Sequence, residues 1–187
     1  MKASPKYNEK NLIPMFLKAA AFRNDLVALG FTDNGGAIHS TKRILNILGQ
    51  HLKYPELRHT NNYKKYHTAQ FSVAALKVHK RGEEVLIEHV SPIRDFTRKA
   101  IKILDNMTND NTQIEKLKDF IKKHYPLVLL TPDETRHLNK INRTKMEDDR
   151  LERAGITTVF YPNQPTSASL CKVSNYAKQA VCETVTR

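Results

Sequence analysis

Glu88 and His89 stand side by side at the end of the apolar run Val85-Leu86-Ile87, and Val90-Ser91-Pro92 closes that run. Near pH 7 a neutral imidazole can take a proton or donate a lone pair to a metal. His89 is therefore the first candidate for chemistry, as general base or as metal ligand, with the acid Glu88 beside it. The alternative for His89 is a packed, hydrogen-bonded side chain at the end of a strand.

A second polar group lies on the stretch that begins Thr131-Pro132-Asp133-Glu134. Threonine followed by proline, with glutamate three residues after the threonine, is the capping-box signature of a helix start. The helix it opens carries Glu134, Arg136, His137, Asn139, Lys140 and Arg143. Glu134 and His137 are the acid and the imidazole of this helix. Arg136, Lys140 and Arg143 are candidates for phosphate contacts.

The elements that must position these groups follow from periodicity. Residues 8–30 and about 37–52 read as helices, joined by the turn Thr32-Asp33-Asn34-Gly35-Gly36. Two helices around a Gly-containing turn are expected to resemble a helix-turn-helix, with Lys42 and Arg43 on the second helix facing phosphates. The connector 53–68 interleaves tyrosines with cations, Lys64 and Lys65 among them, a composition suited to a phosphate backbone and unstacked bases. Residues 70–78 and 83–90, separated by Lys80-Arg81-Gly82, predict a β-hairpin. Helices are expected at about 93–106 and 111–124, a short buried strand at 126–130, a turn of helix at 147–154, a last strand at 156–161 and a closing helix at 167–185. The predicted fold class is α+β, mainly helical, with a small antiparallel β-sheet containing 70–90 and 127–131. The chain divides into a helical part, 1–68, and an α+β part, 69–187, unless the two form one continuous domain.

The strand ending in Glu88-His89-Val90-Ser91-Pro92 and the later Leu127-Val128-Leu129-Leu130-Thr131-Pro132-Asp133-Glu134 together resemble the HNH, or His-Me finger, nucleases. That resemblance covers roughly residues 83–143 and implies a ββα site, degenerate in its second motif, that grips one divalent cation, Mg²⁺ or Mn²⁺. It implies His89 as the base that activates water, with Glu88 and a residue of the final helix on the metal. Glu134, as a metal ligand, or His137, as a catalytic group, could face that site, but not both equally. The sequence departs from the family pattern at two places. Tyr125 and Pro126 stand where an asparagine is expected before the second strand, and Thr135 stands where a histidine is often found. His137 does not substitute for position 135, because two residues rotate a helical side chain by about 200°.

The whole chain constrains the partner. Lysine and arginine number 31 against 19 aspartate and glutamate, a formal charge of +12. In a chain of 187 residues this balance points to a polyanion, nucleic acid before membrane. No apolar run approaches the roughly 18 residues of a membrane span, and the first residues lack the apolar segment of a secretory signal, so a cytoplasmic location is expected. Cys171 and Cys182, with no second pair, do not make a zinc site. Three functions fit: a metal-dependent nuclease of bacterial or phage type, a non-catalytic nucleic-acid-binding regulator, and a metal-independent RNase toxin.

Overall fold

The computed structural model describes residues 8–105 and 111–161, and its fold is α+β and mainly helical. In chain order the elements are α1 (Glu9–Ala28), α2 (His39–Lys53), a 3-10 turn (Thr60–Lys65), β1 (Gln70–Ser72), α3 (Val73–Lys80), β2 (Leu86–His89), α4 (Ile93–Asp105), α5 (Asn111–His124), β3 (Leu127–Leu130), α6 (Pro132–Ile141), α7 (Arg150–Arg153) and β4 (Thr158–Phe160). The closing helix expected at 167–185 and both cysteines lie outside the described residues. No described helix is long and apolar enough to cross a membrane.

The sheet runs β2-β3-β1-β4 and is mixed, not antiparallel throughout. β2 pairs antiparallel with β3 and β4 antiparallel with β1, but β1 and β3 are parallel. The hairpin expected over 70–90 does not form. Ser72 ends β1 and caps a helix, its Oγ accepting from the Ala75 N–H at 2.8 Å, and the following Ala74-Ala75-Leu76 favours helix. Lys80-Arg81-Gly82 is a helix stop instead of a hairpin turn. Gly82 takes φ +79°, its N–H bonds to the His79 carbonyl and the Glu83 N–H to the Val78 carbonyl, the paired bonds of a Schellman motif. β3 then fills the place beside β2 that the hairpin partner would have taken.

Alternation along β3 splits its four buried residues between two cores. Leu127 and Leu129 join the large core with Phe71 and with Phe16, Leu45, Leu48, Phe96, Leu117 and Ile121 from the helices. Val128 and Leu130 face Leu138, Ala154 and Ile156 in a smaller one. The large core draws on α1 and α2 as well as on the sheet, and α2 packs on α4 and α5 in addition to α1. The tyrosines of the 53–68 connector belong to it too. Tyr54 and Tyr63 are buried, and both hold Leu127: the Tyr63 hydroxyl donates to its carbonyl at 2.7 Å, and the Tyr54 oxygen accepts from its N–H at 2.9 Å. They are not displayed to stack on bases.

Candidate nucleic-acid interface

The register Glu88↔Val128 and His89↔Leu127 puts the two candidate residues on opposite faces of the sheet. Glu88 shares its face with α6 and α7, while His89 shares its face with the large core. The His89 ring stands edge-on to Tyr125, centroids 5.0 Å apart. Burial, with a smaller push from the Arg150 charge, lowers the His89 pKa to about 4, so the ring is neutral at pH 7. Burial raises the Glu88 carboxyl above its ordinary value, against the opposing pull of Arg150.

Arg150, 2% exposed, ties the strand end to the smaller core. Its Nη1 donates to the carbonyls of His89 (2.9 Å) and Val90 (3.0 Å), and its Nε donates to the Asn142 carbonyl at 2.8 Å. One guanidinium thereby fixes the end of β2 against the end of α6. Pro92 then turns the chain into α4.

Where β2, α4 and α6 meet, a cavity of about 770 Å³ opens, lined by Glu88, His89, Pro92, Ile93, Arg94, Arg98, Asn139, Arg143, Thr144 and Arg150, with Asn34 and Lys42 from the N-terminal helices and their turn. Five of these side chains are cationic and one is a carboxylate. The 32–36 turn holds two of the cations. Asp33, 6% exposed, takes both ends of Arg23 at 2.9 Å and the Nε of Arg98 at 2.7 Å. These contacts outweigh burial and keep its carboxyl below the ordinary aspartate value, the Arg23 bond first among them. Asn34 accepts from Arg94. Among the described residues, Lys42 and Arg143 make no ion pair, and their charge is available at the cavity wall.

The structure thus brings together four of the residues singled out in the sequence, Glu88, His89, Lys42 and Arg143. Arg43 borders a smaller neighbouring pocket that shares Lys42, His89 and Ile93, and Lys140 borders a depression on the far side of Arg143. Lys64 and Lys65 sit on the 3-10 turn and do not border the cavity. Neither does His137, which is exposed, nor Arg136, which is paired with Asp133.

Glu134 is at the wrong end of the sheet to meet Glu88. β2 and β3 are antiparallel, so Glu88 lies beside Val128 while Glu134 follows the last residue of β3. Its Oε2 accepts from the Thr131 N–H at 2.9 Å and from the Ser72 hydroxyl at 2.6 Å, completing the capping box. Glu88 and Glu134, the two carboxylates expected on a divalent cation, are therefore not brought together. Among the described residues no three of His, Cys, Asp and Glu converge, and the charge that acts on Glu88 is that of Arg150, with four further cations on the same cavity wall. Such a wall suits an anion.

Sequence reasoning missed Arg94, Arg98, Arg150, Asn34 and Asn139 as wall residues. Arg94 and Arg98, four apart just after a strand-ending proline, are the one local signal, since that spacing places them on one helical face. The role of Asp33 was hidden in a turn legible only as a turn. No family model, curated protein or solved structure matches this chain.

Proposed function

We propose that this chain binds nucleic acid through the sugar-phosphate backbone and that the cavity at the end of β2 seats a phosphate. The observation that carries the reading is the cavity wall, with five cations against one carboxylate. Phosphate contacts made by Lys and Arg release condensed counterions, and this supplies sequence-independent affinity. α4 begins at the cavity with Ile93, so the positive end of its dipole adds to the same potential. The formal charge of +12 extends the attraction beyond the cavity.

The test is fluorescence anisotropy with labelled DNA and RNA over a salt series, for the wild type and for Lys42→Ala with Arg143→Ala. The double variant is expected to bind all sequences more weakly and to lower the salt slope by about 2, roughly one per phosphate contact removed. An unchanged slope would sink the proposal.

A second reading, phosphodiester hydrolysis, rests on one observation: Glu88 and His89 both border the cavity. Against it stands the His89 pKa of about 4, which makes the ring a weak base for water or a 2′-hydroxyl. Cleavage assays with Mg²⁺, Mn²⁺ or EDTA decide the matter. Binding without cleavage is expected. Cleavage lost in His89→Ala would establish hydrolysis, and its response to EDTA would separate a metal-dependent nuclease from a metal-independent RNase.

A further inference from the structure

Helix α1 turns Leu12, Ile13, Phe16, Ala19 and Ala20 inward and leaves a second apolar stripe uncovered by any described residue. Met15 is 51% exposed, Phe22 55% and Leu29, its C-cap, 77%. These three are seven residues apart. Lys18 and Asp25, both exposed, occupy the intermediate positions, so the series 15-18-22-25-29 steps by three and four, the spacing of a seam between two helices. Among the described residues, neither the Lys18 ammonium nor the Asp25 carboxylate has an ion-pair partner.

We propose that this stripe docks on the same stripe of a second copy of the chain, the two α1 helices antiparallel about a two-fold axis at Phe22. The charges select both the partner and the direction. In a parallel pair Lys18 would meet Lys18 and Asp25 would meet Asp25, which is repulsive. In the antiparallel pair the sum of facing residue numbers is 44, so Phe22 faces Phe22, Met15 faces Leu29, and Lys18 falls beside Asp25 of the other copy. The interface is isologous and closes on itself. α1 rises about 30 Å, and a single helix pair buries an area at the low end of stable interfaces, on the order of 1,200 Å². The dimer is therefore expected at roughly tens of micromolar protein, not nanomolar. It uses none of the cavity residues and does not depend on the nucleic-acid reading.

Sedimentation velocity over roughly 1–200 μM, a range bracketing that affinity class, tests it. The full chain should pass from monomer to twice its 21.5 kDa mass. Phe22→Glu should leave a monomer throughout. Lys18→Glu and Asp25→Lys should each weaken association about tenfold, the equivalent of about 1.4 kcal/mol over two symmetric pairs, and the two together should restore it. The charge swaps are at exposed positions and carry the test even where Phe22→Glu alters the circular dichroism of the fold. A monomer at every concentration would overturn the proposal and assign the stripe to a different partner. A dimer indifferent to Phe22→Glu, or a double swap no better than its singles, would overturn it equally.

Discussion

At the scale of single residues, Glu134 and His89 each have two readings, and the structure makes them separable. The capping box tolerates glutamine at its third position, so Glu134→Gln should cost less than about 1 kcal/mol, whereas Glu134→Ala should cost about 1–2 kcal/mol by urea denaturation. Neither should weaken nucleic-acid binding, because the carboxylate serves Thr131 and Ser72 and not the cavity. Loss of binding in Glu134→Gln would contradict this placement. His89 has a pKa of about 4 in the fold, below its ordinary value of 6.5. Protons therefore bind the unfolded chain more readily, and the stability His89 contributes is complete above pH 6.5 and lost as pH falls toward 4. Between pH 7 and pH 5 the wild type should lose about 2 kcal/mol more than His89→Gln. Equal losses in the two proteins would mean that the ring is solvated. Thr131-Pro132-Asp133-Glu134 already specified a cap in the sequence, and the cap consumes the carboxylate that a ligand role would require.

At the scale of elements, the helices were legible because their apolar spacing repeats over several turns, and α1, α2, α4 and α5 lie within a few residues of where periodicity puts them. The pairing of β2 with β3 was not legible, since two helices intervene and no local signal marks the partner. α3 was mistaken for a strand because Val73 and Val78 carry β-propensity, whereas the deciding features were the Ser72 cap and the Gly82 stop. A further constraint is visible only after folding. Gly49 of α2 lies against the Tyr125 ring, and a Cβ there would overlap it. Tyr125 is buried, its hydroxyl donates to Asn46 Oδ1 at 2.8 Å, and its ring meets His89. Gly49→Ala should gain about 1 kcal/mol of helix propensity and still be destabilising by about 1–3 kcal/mol on balance through overpacking. Displacing Tyr125 should also loosen His89 and move its pKa, read by NMR, back toward 6.5. A stabilised variant would mean that the ring has room to move.

At the scale of the whole molecule, a chain of formal charge +12 repels itself, and five positive groups from α2, α4, α7 and the segment that follows α6 converge on one cavity. Lys42 and Arg143 come from distant parts of the sequence, so the charge total was legible at once while the seat for an anion emerged only with the fold. Any salt should relieve the general repulsion, but a bound anion should add a term that chloride does not. At ten times its Kd a ligand of the native state contributes about 1.4 kcal/mol, and about 1 kcal/mol moves Tm by some 2–4 °C in a chain this size. Pyrophosphate at millimolar concentration should therefore raise the wild-type Tm by about 3–5 °C beyond sodium chloride of equal ionic strength. General exclusion of a strongly hydrated anion would stabilise every variant alike, which makes Lys42→Ala with Arg143→Ala the control. Its excess over chloride should fall to about a third or less of the wild-type value, since two of the five cavity cations are gone, the two that make neither an ion pair nor a side-chain hydrogen bond among the described residues. An equal excess in both proteins would place the anion effect on the general surface and remove the cavity as its seat.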